Sequence, residues 1–218
     1  MANKREKLST FINRFRIAVV NAQSNAEISA AMGLFGYDAL MFAEGQALLD
    51  RLIALSQQQQ TEQAEKLAAT ESLNTAWQAA NQRYGVHRSI AKRVFKDNGL
   101  AWNKLTLNEQ KAASRIEGIQ QAALFYKNLL GDASLMQAMT KFGQTQAILE
   151  AAEQAIQEVV NLMALQKKES AEAQIATQTR DEVWAESKTW LATMLEIARY
   201  ALVDNPQLIE ALGVVEPS

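Results

Sequence analysis

Two stretches decide the fold: NAEISAAMGLFG, residues 25–36, and DASLMQAMTKFG, residues 132–143. They stand 107 positions apart. Ala26, Ala31, Met32, Phe35 and Gly36 recur as Ala133, Ala138, Met139, Phe142 and Gly143, with Asn25 facing Asp132 and Ile28 facing Leu135. The same offset continues without a gap through Leu55/Leu162, Ala64-Glu65/Ala171-Glu172, Trp77/Trp184, Ile90-Ala91/Ile197-Ala198, Asp97-Asn98/Asp204-Asn205 and Leu105/Leu212. Between residues 16–106 and 123–213, 19 of 91 positions are identical, against roughly 8% expected from a chain this rich in Ala, Gln and Leu. Amphipathic helices that merely share a period would align Leu and Ala. They would not align a Trp pair in a chain with 4 Trp. The expectation is a tandem duplication, residues 1–107 followed by residues 108–218, forming one intertwined domain.

Each copy reads as three helical segments. Phe11, Phe15, Ala18, Val19 and Ala22 in copy one, and Ala122, Phe125, Tyr126 and Leu129 in copy two, fall at spacings of three and four, on one helix face. Phe11 falls opposite Gly118, and Ile119 is the nearest apolar substitute. The second segment is short. Asn25 or Asp132 caps its N-terminus through a side-chain oxygen. Ile28, Ala31, Met32 and Phe35 form its expected buried stripe, and Gly36 or Gly143 closes it. The third segment is very long. Asp38 or Thr145 caps it, and no Gly or Pro occurs from Thr145 to Asn205, where Pro206 follows. That is ~60 residues, or roughly 90 Å of helix. The copy-one equivalent holds Gly45 and Gly85, two candidate bend points. Residues 99–114 cross between copies, and Pro206–Gly213 adds a short terminal helix.

The long segments are apolar at both ends and polar between, at SQQQQTEQAEKLAATES and QKKESAEAQIATQTRDE. Such a middle cannot lie deep in a core. It crosses solvent or forms a thin coiled-coil waist, and no turn residue marks a hairpin there. Antiparallel pairing would bring the apolar start of one long helix to the end of the other, with two short helices completing each cluster. The predicted fold is all-α: an elongated, pseudo-twofold helical bundle of two such units.

Composition removes several function classes. The chain has no Cys, so disulfides, thiolate metal sites and cysteine nucleophiles are out. No stretch is apolar enough for a transmembrane helix, and Arg14 and Arg16 interrupt any signal-peptide core, so a cytoplasmic protein is expected. There is no Walker loop, no Gly-x-Gly-x-x-Gly, no Gly-x-Ser-x-Gly and no Glu-x-x-His for a di-iron bundle. No metal or cofactor is expected. The one His, His87, has no carboxylate at helical spacing and reads as a surface or boundary residue. Trp77, Trp184 and Trp190 read as core aromatics.

Charge is uneven. Residues 1–107 carry 13 Lys and Arg against 9 Asp and Glu; residues 108–218 carry 9 against 15. The basic half and acidic half could attract each other or a partner. In RYGVHRSIAKRVFK, Arg88, Lys92 and Lys96 recur every four residues, flanked by Arg83 and Arg93. A stripe like this binds phosphates of nucleic acid or anionic lipid, unless it is a solvated face or pairs within the chain. The copy-two counterparts are Trp190, Leu195, Arg199, Tyr200 and Val203, so the stripe is no property of the repeat. The expected function is a non-enzymatic structural or interaction protein, with a protein partner or a second copy of itself. Anion binding through Arg83, Arg88, Lys92, Arg93 and Lys96 is the alternative. Met32, Phe35, Gly36 and Trp77, with Met139, Phe142, Gly143 and Trp184, are the expected framework of the repeat.

Overall fold

The computed structural model describes residues 6–213, and among them every regular element is helical. Helix α1 spans Leu8–Ser24, α2 Ala26–Gly33, α3 Ala39–Val94, α4 Gly99–Lys104, α5 Arg115–Leu130, α6 Ala133–Thr140, α7 Gln146–Ala201 and α8 Gln207–Glu210. The long helices are unbroken at 56 residues each, with no hairpin in either polar middle. The boundaries of α2 and α3 recur in α6 and α7 at the offset of 107 residues.

Local chemistry sets these boundaries. The Asn25 side chain accepts from the amides of Glu27 and Ile28, and Asp132 accepts from those of Ser134 and Leu135. Asp38 accepts from Leu40 and Met41, and Thr145 from Ile148. Each cap satisfies amides that the first helical turn leaves without an intrahelical partner. Gly36 and Gly143 adopt φ of 87° and 76°, a left-handed conformation that glycine reaches without a steric penalty. One expectation fails here. Phe35 and Phe142 are 49% and 58% exposed rather than part of the buried stripe. Helix α2 ends at Gly33 and α6 at Thr140, so the residues that follow sit in a turn, off the helical period. Ile28 and Met32 remain fully buried.

The chain forms two compact units. The first takes the residues up to Gln63 and those from Glu172 onward; the second is Ala64–Ala171. Each therefore holds the start of one long helix and the end of the other. In the first unit Phe11, Phe15, Ile28 and Met32 of α1 and α2 pack with Phe42, Leu49 and Leu52 from the start of α3, and with Val183, Leu191 and Met194 from the end of α7. Where the polar middles lie within this unit, they pair directly. Gln63 donates to Thr177, Arg180 donates to Gln59, and Ala173 is fully buried. In the second unit Leu73, Tyr84 and Ala91 of α3 pack with Phe125, Tyr126 and Leu129 of α5, Met139 of α6, and Leu149, Ile156 and Val159 of α7.

The glycines of α3 do not interrupt it. Gly45 instead admits Trp190, whose ring lies 2.3 Å from where a Cβ would stand. The ring also packs 5.5 Å from Phe15 and 6.0 Å from Tyr37. Gly118 of α5 does the same for Trp77, at 2.7 Å. This explains the sequence mismatch of Phe11 with Gly118. In the first unit Trp184 packs beside the Phe11 ring at 6.4 Å; in the second, Trp77 fills the space that the counterpart of Phe11 leaves. Among the described residues, Arg51–Glu186 at 3.9 Å and Lys104–Asp132 at 2.7 Å join a cation of residues 1–107 to an anion of residues 108–218. Both reach solvent, where such pairs contribute little.

A Gly45→Ala substitution is expected to lower unfolding free energy by about 1–3 kcal/mol, because the indole has to shift in a packed core. Gly33→Ala, with open space around it, is expected to leave stability unchanged or raise it by up to ~1 kcal/mol. Urea denaturation of both variants checks the pair. Equal effects would refute the Trp190 account.

Candidate functional site

The basic stripe does not stand as one surface. Arg83, Arg93 and Lys96 are exposed, but Lys92 is half-buried with its ammonium 6.0 Å from the Trp102 ring centre. Lys96 pairs with the neighbouring Asp97 at 3.5 Å. Arg88 is only 7% exposed. Its guanidinium turns inward and donates to the backbone carbonyls of Thr106, at 3.3 Å, and Glu109. Arg88 is thus lost to an anion site, and the expected five-residue stripe reduces to three exposed cations and one shielded lysine. Helical spacing set the stripe, but the partners of Arg88 lie beyond α3, in the crossing from α4 to α5.

His87 also departs from expectation, at 4% exposed. Its Nδ1 lies 2.9 Å from the Tyr126 hydroxyl, across α3 and α5. Tyr84 packs edge-on against Tyr126, ring centres 6.1 Å apart, and against Phe125 at 5.5 Å. The Tyr84 hydroxyl and the Arg88 Nε are buried without a hydrogen-bond partner. Burial, and then the Arg83 charge, pull the His87 pKa below its ordinary value. Burial likewise holds the Tyr126 and Tyr84 hydroxyls above the usual phenol range.

These four residues form a buried polar cluster in the second unit. At the 107-residue offset, Tyr84, His87 and Arg88 correspond to Leu191, Met194 and Leu195, and Tyr126 corresponds to Val19. All four counterparts are buried and apolar. Apolar side chains fill the equivalent positions of one unit, so the polar set in the other is not a requirement of helix packing.

The crossing segment, residues 105–114, is held by side chains rather than by regular structure. Besides the Arg88 bonds, the Gln121 amide donates to the Gln110 carbonyl and the Glu109 carboxylate, and its oxygen accepts from the Ala112 amide. Lys111 donates to the Asn81 carbonyl and places its ammonium 5.9 Å from the Tyr84 ring centre. Leu105 and Leu107 are fully buried. Thr106 has φ of 51°, a strained value for a side chain with a branched Cβ. Its counterpart is Gly213, at 77°. An open polar cavity of about 430 Å³ borders the segment, lined by Glu109, Gln110, Glu117, Gln120, Gln121 and neighbours.

A second feature of this unit is apolar. Ile116, Ile119 and Gln120 of α5, with Val160, Met163, Ala164 and Lys167 of α7, line a groove of about 390 Å³. Ile116 and Val160 are 60% and 42% exposed. Spacings of three and four on α5, and of three, four and seven on α7, put each set on one helix face. At the copy-one counterparts of Ile116, Met163 and Ala164 stand Ser9, Ser56 and Gln57.

The tryptophans behave as packing residues. Trp184 and Trp190 border the first core and Trp77 the second. The helically spaced carboxylates Glu150, Glu153 and Glu158 lie at exposed or half-exposed positions of α7. Among the described residues no helix is long and apolar enough to cross a membrane. No family model, no curated protein and no solved structure matches the chain.

Replacing Arg88 with Ala is expected to cost about 1–3 kcal/mol, since two carbonyls of the crossing lose their donor. Arg93→Ala, on the exposed face, is expected to stay within ~0.5 kcal/mol of wild type. Chemical denaturation compares them, and an Arg88 variant as silent as the Arg93 variant would remove the clamp.

Proposed function

We propose that this chain is a non-enzymatic helical interaction protein, and that its groove between α5 and α7 receives an amphipathic helix of a protein partner. The groove carries the reading. Its walls are mostly apolar, and a groove between two helices is a shape that a third helix packs into. Ile116, Met163 and Ala164 change to Ser9, Ser56 and Gln57 at the copy-one positions, while Ile119 and Val160 stay apolar as Ile12 and Ile53. Charge supports an acidic flank on the partner. Lys167 stands at the rim, and residues 64–171 carry 13 Lys and Arg against 10 Asp and Glu.

We also propose that the chain arose by tandem duplication, with the pseudo-twofold arrangement such an origin brings. The support is the recurrence of helix boundaries, N-caps and left-handed glycines at one offset. On this view shared residues keep the fold, and residues that diverged carry the role.

The anion-binding alternative rests on Arg83, Arg93 and Lys96, the cations of the stripe that remain exposed. It ranks second because Arg88 and Lys92 are engaged within the chain. A gel shift on nucleic acid at low salt, abolished by Lys96→Glu with Arg93→Glu, would move it to first place.

Affinity capture from the source cell is expected to return a stoichiometric protein with wild type and to lose it with Ala164→Glu. The exposed position of Ala164 leaves folding of that variant intact. Retention of the same protein by the variant, or a partner-free monomer with wild type, would sink the groove reading.

A further inference from the structure

We infer that the partner helix received between α5 and α7 is charged on both of its edges, acidic where it faces α7 and basic where it faces α5. This rests on the groove reading and adds the second edge. The apolar groove and the polar cavity beside the crossing lie on opposite flanks of α5, and Gln120 lines both. Ile116 and Ile119 face the groove, whereas Glu117, Gln121 and Leu124 face the cavity. Ile116, Gln120 and Leu124 stand four residues apart and are all exposed, so they form the crest between the two. A helix seated in the groove rests against this crest, and long side chains on its near edge reach over Gln120 to the cavity.

The two rims carry opposite charge. The charged residue lining the groove is Lys167, on α7. Those lining the cavity are Glu109 and Glu117. Lys167 and Glu117 are exposed, and neither has an ion-pair partner among the described residues. The Glu109 carboxylate is held by the Gln121 amide at 3.2 Å, and Gln121 is itself fixed by the Gln110 carbonyl and the Ala112 amide. The cations near this cavity in sequence are turned elsewhere. Arg88 donates to the crossing carbonyls, Lys111 to the Asn81 carbonyl, and Arg115 to Asn74 Oδ1 at 2.7 Å. The cavity therefore offers carboxylates and side-chain amides with no cation of its own. The group that satisfies them is the ammonium or guanidinium of a Lys or Arg, and about 430 Å³ admits such a side chain.

Groove and cavity also depart from the first unit together. At the offset of 107 residues Met163 and Ala164 become Ser56 and Gln57, Glu117 becomes Thr10, and Gln121 becomes Arg14. Arg14 pairs with Glu6 at 2.9 Å, so a cation stands where the second unit holds its carboxylate in place. Joint change of apolar wall and acidic rim fits one binding surface rather than two.

Three synthetic amphipathic helices of about 18 residues, sharing one apolar stripe, test this by fluorescence anisotropy on the full chain. One carries Glu on both edges, one Lys on both, and one Glu on one edge and Lys on the other. A helix can enter the groove in either direction, so the mixed probe can always bring each edge to its complement. It is expected to bind about fivefold tighter than either uniform probe at low salt, with the difference shrinking at ~0.5 M salt. In Glu109→Gln with Glu117→Gln, the mixed probe should lose its lead over the Glu probe and keep its lead over the Lys probe. In Lys167→Gln the reverse is expected. Equal binding of all three probes, or a preference that ignores these substitutions, would overturn the two-edged partner and leave the groove standing, so long as Ala164→Glu abolishes binding. No binding, or binding that Ala164→Glu leaves intact, would remove the groove and this inference with it. Dimerisation of the chain alone in analytical ultracentrifugation, dissolved by Ala164→Glu, would make the occupant a second copy and overturn the assignment.

Discussion

A helix of 56 residues with apolar ends and a polar middle cannot bury either end by itself. Each end needs an apolar surface from elsewhere, and the rest of the architecture follows from that need. In each compact unit the start of one long helix meets the end of the other, and three shorter helices complete the core: α1, α2 and α8 in the first, α4, α5 and α6 in the second. The fit depends on small residues where indoles cross: Gly45 under Trp190 and Gly118 under Trp77. Those rings pack against the border of each core, and the absence of a Cβ makes the room for them.

The two units solve the same packing problem with different chemistry. One fills four core positions with Leu191, Met194, Leu195 and Val19; the other fills them with Tyr84, His87, Arg88 and Tyr126. Polar groups in a core cost stability unless they are paired. Here the pairing is incomplete, since the Tyr84 hydroxyl and Arg88 Nε have no partner.

What the sequence revealed was whatever is local. The caps Asn25, Asp38, Asp132 and Thr145 act on amides two or three residues away, and each was legible from its position before an apolar period. The stripe Phe11, Phe15, Ala18, Val19 and Ala22 was legible because every member belongs to one helix. Phe35 was misread because the helix ends at Gly33 and the period ends with it. His87 and Arg88 were misread for a different reason. Their partners lie 18 to 39 residues away, and helical spacing carries no information about groups on another element. Gly118 looked like a flaw in the repeat until Trp77 was seen to occupy its place. The α5–α7 groove was invisible for the same reason as the Arg88 clamp: two separate helices make it.

The division of the chain carries a consequence for how the molecule is made. The second unit is contiguous, Ala64–Ala171, whereas the first draws on residues before Gln63 and after Glu172. During synthesis from the N-terminus, everything the second unit needs has emerged while the end of α7 is still inside the ribosome. Helices α1 and α2 must wait, with Phe11, Phe15, Ile28 and Met32 lacking their partners, until Val183, Leu191 and Met194 appear. The first core thus closes last over a long loop, and that loop is a folded body rather than a flexible coil, which reduces the entropy lost on closure.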